Sequence, residues 1–273
     1  MKFLFYTVSL IIFFSGCSNK IPNLDKRLDT IYSLKDDKTF RKDIKTKNFD
    51  IFSLQNISMS CDNINIYIEG DGLSWITRTR ISPDPTPINP LAFKLMNIDK
   101  NKCKVYLARP CQYIKSNECN NIYWTSHRFN EKVIESYLEI FDILKRENSN
   151  KTFNIIGYSG GGAVASIISA KRDDIDSLIT IAGNLDHKKW TDYHNITPLS
   201  ASLNPINFTD KLKYVKQYHL IGKNDRIVPE DIFLSYKSYF EYNQNLFYKK
   251  YNATHNKNWE SIYMQFLENK TDF

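Results

Sequence analysis

Six short apolar runs, rich in β-branched and aromatic side chains, punctuate the chain: INIYIE (64–69), KVYLA (104–108), TFNII (152–156), SLITIA (177–182), VKQYHLI (215–221) and LFYKKY (246–251). Their length and composition predict buried strands of a parallel sheet. Between them the apolar positions recur every three to four residues. The clearest case is NEKVIESYLEIFDILKRE. There Val133, Ile134, Tyr137, Leu138, Phe141 and Leu144 share one face, Asn130 stands at the N-cap, and Lys145 and Arg146 fill the last turn. Further helices are expected at 88–98, 161–171, 230–241 and 256–269. Strands alternating with helices imply an α/β fold, a mostly parallel central sheet with helices on both faces. Upstream, Leu24, Leu28, Ile31 and Leu34 keep helical spacing, and KTFRKDI and KNFDIFSLQ read as one or two antiparallel edge strands. No internal repeat or low-complexity linker divides residues 24–273, so one domain is expected.

Glycine placement changes this picture from a fold to a site. The chain has 9 glycines, and every one except Gly16 lies just past an apolar run: Gly70 and Gly72, Gly157 and Gly160 to Gly162, Gly183, and Gly222. In an open parallel sheet ligands bind at the carboxyl ends of the strands. Glycine at that edge permits tight turns and close backbone approach.

The densest cluster is GYSGG, Gly157 to Gly161, which matches G-x-S-x-G with a strand before it and a small-residue helix, AVASIISA, after it. That context holds a serine on a sharp turn clear of the sheet, with Gly157, Tyr158 and Gly161 forming the elbow around Ser159. A serine hydroxyl needs a base to take its proton, and the base needs an acid to fix its tautomer. With the chain order Ser, acid, His, the loop after the fifth run offers Asp225 and the loop after the sixth offers His255. Asp186 also follows a strand and is the rival acid. His187 and His194 fall in a segment read as a cap, His219 inside a strand, and His127 ahead of Ser159 in a polar stretch. A developing oxyanion needs donors: the N–H of Gly160 after the nucleophile, and a second from the loop in IYIEGDGLSW, that of Asp71 or of Gly72. A carboxylate beside an oxyanion would repel it, so the Asp71 side chain is expected to point away.

The N-terminus, MKFLFYTVSLIIFFSGC, has one Lys, an apolar run from Phe3 to Phe14, and small residues before Cys17. The run is shorter than the roughly 20 residues that span a bilayer. It suits a signal peptide over residues 1–16, so export is expected. The Ser-Gly-Cys end resembles a bacterial lipoprotein signal, which implies lipid attachment at Cys17, a short tether over 17–23 and anchoring to the membrane on the periplasmic side or at the cell surface. In an oxidising compartment Cys61, Cys103, Cys111 and Cys119 become disulfide candidates with three possible pairings. Cys111 and Cys119 bracket a short polar loop; Cys61 and Cys103 meet if the strands they precede are neighbours. None of these pairs is spaced as CxxC and no His is close in sequence, so no metal is expected. The formal charge of +7 is spread among nearly equal numbers of acidic residues without a basic block, which argues against nucleic acid as a partner.

GYSGG, GKNDRIVP and the late His255 resemble the α/β-hydrolase family. YIEGDGLSW, SPDPTPINP, LARPCQY, YWTSHRF and AGNLDHKKW are similar to an uncharacterised group of bacterial exported lipoproteins with that fold. The resemblance implies a serine hydrolase without cofactor, acting on a small-molecule or lipid-like ester or thioester. An acyltransferase on the same triad and a non-catalytic envelope-binding lipoprotein are the alternatives. Common esterases of the family have His-Gly where this chain has Glu69-Gly70. The segment 184–214 is too long for a tight connection and reads as a small lid, or as a surface loop. Trp75 and SPDPTPINP read as another wall of the pocket or as a rigid exposed turn.

Overall fold

Alternation along the strands sends their side chains to two separate cores. In β5 (Asn63–Ile68), Ile64, Ile66 and Ile68 enter one core and Tyr67 the other; in β7 (Thr152–Tyr158), Phe153 and Ile155 part from Ile156 and Tyr158 in the same way. In this computed structural model, which describes residues 21–58, 61–148, 152–240 and 244–269, both faces of the sheet are accordingly covered. The segment on which export and Cys17 lipidation rest, residues 1–20, lies outside the described residues.

In chain order the elements begin with α1 (Leu24–Leu34), β1 (Phe40–Arg41), a small β2–β3 ribbon (Ile44–Lys45, Asp50–Ile51), β4 (Ser53–Ile57), β5, α2 (Leu91–Ile98), β6 (Cys103–Leu107), α3 (Glu131–Asn148) and β7. After them come α4 (Gly160–Lys171), β8 (Ile175–Ile181), α5 (His187–His194), α6 (Thr209–Leu212), β9 (Lys216–Gly222), α7 (Glu230–Lys237), β10 (Leu246–Tyr251) and α8 (Trp259–Glu268). The main sheet runs β1-β4-β6-β5-β7-β8-β9-β10, parallel from β6 to β10, with β4 and β1 added antiparallel on one side. Helices α3, α4 and α7 pack one face; α1, α2 and α8 pack the other.

Differences from the sequence reading have local causes. The helix expected at 88–98 starts at Leu91, because Pro85, Pro87 and Pro90 disfavour helical backbone in the residues before them. The sixth apolar run is not buried: β10 is a partly exposed edge, where Phe247 stacks on Tyr218 while Lys249 and Lys250 keep the strand wet. Within 184–214 only residues up to Leu199 wall the cavity described below. Beyond it, the 3-10 turn Pro205–Phe208 and α6 pack against α4 under the sheet edge. Neighbouring β5 and β6 bring Cys61 to Cys103 in a disulfide with Cα atoms 5.9 Å apart, and Cys111 bonds Cys119 across its loop at 5.6 Å.

Candidate active site

The turn from β7 into α4 places Ser159 in a backbone conformation that side chains rarely adopt, φ 52° and ψ −120°. Three backbone bonds pin it there. Its N–H donates to Ile181 O (3.0 Å), and its carbonyl accepts from Gly162 N (2.9 Å) and Asn184 N (3.0 Å). The turn is tight enough that a Cβ on Gly157 would lie 2.4 Å from the carbonyl oxygen of Gly161.

The loops after β9 and β10 deliver the partners. His255 Nε2 lies 3.0 Å from Ser159 Oγ and its Nδ1 lies 2.8 Å from Asp225 Oδ2. With the proton on Nδ1, donated to the carboxylate, Nε2 is free to accept from the serine hydroxyl. Asp225 is itself fixed: its Oδ1 accepts the N–H groups of Ile227 and Val228, both at 2.8 Å, and its side chain is fully buried. Tyr158 steadies the histidine loop, its hydroxyl lying 3.0 Å from His255 O and 2.5 Å from Asn256 Oδ1, so that its one proton serves either acceptor. The indole of Trp259 donates to the same His255 carbonyl at 2.9 Å.

The other acidic and imidazole candidates are occupied elsewhere. Asp186 caps α5, accepting from Lys188 N and Lys189 N, and also accepts from Asn204 and Ser235. His219, buried in β9, lies 2.7 Å from Thr180 Oγ1 and 3.2 Å from Gln217 Oε1, and burial pushes its pKa down to about 3. His187 packs near Phe129 with Nε2 3.1 Å from Ser202 O, and His127 Nδ1 lies 2.8 Å from Ser126 Oγ. His194 Nε2 lies 2.8 Å from Ile227 O, the same carbonyl that accepts the Trp190 indole at 2.7 Å, so α5 is tied to the loop of Asp225.

A cavity of about 1260 Å³ opens over Ser159 and His255. Its walls include Trp75, Ile88, Trp190, Ile196 and Leu199, so both the Pro-rich stretch and residues 184–199 shape it. Asp71 lines it, and Gly160 lies directly against the Asp71 carboxylate. The N–H of Gly70 is consumed by Glu69 Oε1 at 2.9 Å, whereas among the described residues no acceptor takes the N–H of Asp71 or of Gly160.

The expectation for the Asp71 side chain requires correction. Its carboxylate is not directed away from the elbow: a Cβ on Gly160 would come 2.1 Å from Asp71 Oδ1. Charge is managed by pairing instead of distance. Arg109 Nη1 donates to Oδ1 at 3.1 Å and Arg128 Nη1 to Oδ2 at 2.6 Å. Burial alone would raise this carboxyl's pKa, but the charges and hydrogen bonds of Arg128 and Arg109 outweigh it and hold the group below the ordinary carboxylate range. Sequence reasoning assigned no role to Arg109, Gln112 or Arg128. The available signal was an arginine directly beyond the strand run KVYLA and another in the aromatic stretch YWTSHRF, both otherwise costly to bury. Glu69, where the family's common esterases carry His, accepts from Gly70 N and from the Tyr106 hydroxyl at 3.2 Å. Burial raises its pKa to about 7.

Comparison of the coordinates with solved structures shows the fold to be that of the α/β-hydrolases. An esterase of Pyrococcus furiosus superposes with a TM-score of 0.60 at 15% identity, covering 86% of this chain and 91% of that one. Est1E of Butyrivibrio proteoclasticus, with ferulic acid bound, gives 0.63 at 11% identity over 84% of this chain and 97% of that one. An α/β serine hydrolase homologue of Coxiella burnetii gives 0.59 at 11% identity over 87% and 98%. No protein-family model matches the sequence, and no curated protein is similar to it at sequence level.

Proposed function

We propose that the protein is an exported serine hydrolase that cleaves a carboxylic ester or thioester through an acyl-enzyme. The observation that carries this reading is the chain of contacts Ser159 Oγ to His255 Nε2 (3.0 Å) and His255 Nδ1 to Asp225 Oδ2 (2.8 Å) at the floor of a cavity. As the serine oxygen attacks the acyl carbon, its proton passes to Nε2, and the buried Asp225 carboxylate stabilises the imidazolium that forms. The carbonyl oxygen gains the electron pair and is met by the N–H groups of Gly160 and Asp71. Collapse of the intermediate returns the proton from Nε2 to the departing alkoxide or thiolate. Water then repeats the sequence on the acyl-enzyme and releases the acid.

The cavity volume of about 1260 Å³ exceeds the roughly 300–1,000 Å³ usual for small-ligand sites, and its aromatic and aliphatic walls favour an acyl group larger than acetyl. The Butyrivibrio protein described with ferulic acid bound makes aromatic acids a sensible class to include in a screen. A fluorophosphonate probe tests the mechanism: labelling of wild type, lost in Ser159→Ala and in His255→Ala, is expected. Folded wild-type protein that resists labelling would overturn it. Chromogenic esters of graded chain length and of aromatic acids then define the acyl preference.

Export and lipidation at Cys17 belong to the same proposal. They are supported by the apolar run before Ser15-Gly16-Cys17 and by two disulfides, which suit an oxidising compartment. Incorporation of a labelled fatty acid in cells, abolished by Cys17→Ala, is the expected result.

A further inference from the structure

The loop after β5 has no regular structure of its own, yet it must hold a backbone N–H in register with the elbow to a fraction of an ångström. Its restraints come from distant segments. Gln112 Nε2 donates to Gly70 O at 3.0 Å, Leu73 N donates to Pro85 O at 3.0 Å, and Glu69 Oε1 takes the Gly70 N–H. Asp71 receives Arg109 from beyond β6 and Arg128 from the turn before α3. Those guanidiniums are themselves fixed. Arg109 Nη2 donates to the carbonyl of Arg128, and Arg128 Nε donates to Thr125 O at 2.8 Å. Arg109 lies over Phe129 and Arg128 over Trp190 of α5. All three side chains of the triad are at least four-fifths buried, with relative exposures of 17%, 5% and 6%.

The Asp71 carboxylate therefore touches both halves of the donor pair. It belongs to the residue that supplies one free N–H, and its Oδ1 lies against Gly160, which supplies the other. Resting on the serine-hydrolase reading above, we propose that Arg109 and Arg128 are positioning residues that act through the Asp71 carboxylate. The ion triad sets the spacing of the Asp71 and Gly160 N–H groups and leaves one net positive charge beside the developing oxyanion. A bare carboxylate there would oppose catalysis. With two guanidiniums on it, the same carboxylate serves as the brace between loop and elbow.

Three variants test this on the full folded protein: Asp71→Asn, which keeps the shape and removes the charge that holds both arginines; Arg128→Met, which leaves Asp71 half paired; and Arg128→Lys. Steady-state kinetics on one chromogenic ester and the rate of fluorophosphonate labelling are the readouts, alongside thermal unfolding. A lost oxyanion donor costs roughly 10²–10³ in kcat. A displaced pair should cost about 10-fold to 100-fold in Asp71→Asn and more in Arg128→Met, in kcat and labelling rate together. KM should stay within about twofold, and Arg128→Lys should recover part of the loss. A purely structural triad would lower the unfolding midpoint and leave kcat per folded molecule intact, and that outcome overturns the proposal. So does a kcat that rises in Asp71→Asn, because the carboxylate would then be only an electrostatic burden. Wild type that is folded and unlabelled overturns both this proposal and the hydrolase reading; labelled wild type with unchanged variants overturns this one alone. Should Asp71→Asn fail to fold, the Arg128 pair of variants decides.

Discussion

The two halves of this site are built on opposite plans. On the side of the acid, the restraints are local: Asp225 is steered by the N–H groups of residues two and three positions ahead of it. On the side of the loop after β5 they are remote: Asp71 is held by arginines 38 and 57 positions away. The contrast teaches where a fold needs imported charge. Asp225 sits in a turn that closes on itself directly after β9, so the strand delivers it already oriented. The EGDG loop leaves β5 without regular structure, and among the described residues no acceptor takes the Asp71 N–H, so the scaffold of this loop comes from side chains of other segments.

The largest break in that comparison is made at their common point. Ser159→Ala should lower kcat by at least about 10⁴-fold, abolish probe labelling and leave the unfolding midpoint within a few degrees, because the backbone bonds that fix the elbow do not involve Oγ. Asp225→Asn tests the local half. The same exchange of carboxylate for amide that costs up to about 100-fold at Asp71 should cost about 10⁴-fold here, since an amide in place of the acceptor favours the wrong tautomer of His255. Equal effects at the two positions would erase the distinction.

The two disulfides sharpen it. Cys61–Cys103 ties the starts of β5 and β6, away from the catalytic edge, and closes a loop of separation 42; Cys111–Cys119 closes a separation of 8 within the segment that carries Arg109 and Gln112. Replacing the first pair by serine should cost about 4 kcal/mol of stability and spare kcat, whereas replacing the second should cost about 2 to 3 kcal/mol and lower kcat. Chemical denaturation with parallel assays separates these outcomes.

The smallest effect concerns Glu69. Burial raises its pKa from the ordinary 4.5 to about 7. Between those values the folded chain keeps a proton that the unfolded chain has lost, so stability falls as pH rises. From pH 5 to pH 7 this group should remove about 2 kcal/mol from the wild type, a decline absent in Glu69→Gln. His219, whose pKa burial pushes down from 6.5 to about 3, acts in the opposite sense between those values and so masks much of this decline in the wild type alone; the difference between wild type and Glu69→Gln is therefore the quantity to measure.

Much of the site could be read from residue order because the strands are apolar runs and their far ends face one edge. Run, turn and position in the chain were enough to propose Ser159, Asp225 and His255, and the geometry brings those three together. A failure of the same logic occurred at β10, where apolar composition concealed an edge strand; Lys249 and Lys250 within LFYKKY were the sign of a solvent-facing side. The Asp71 triad was illegible for another reason. Its members lie in three different loops with no shared periodicity, and pairing among distant charges follows from packing of whole elements, not from spacing. The expectation that the Asp71 side chain points away left out the two arginines that pair with it beside Gly160.

A single carbonyl, that of Ile227, takes both the Trp190 indole and the His194 ring from α5, while the amide of the same residue steers Asp225. Any guest bulky enough to lift α5 must strip that carbonyl of both partners and strain the peptide that aims the acid. On the hydrolase proposal, lifting α5 would also disturb Asp225, and an acyl-length series should then show a step in kcat instead of a gradual decline.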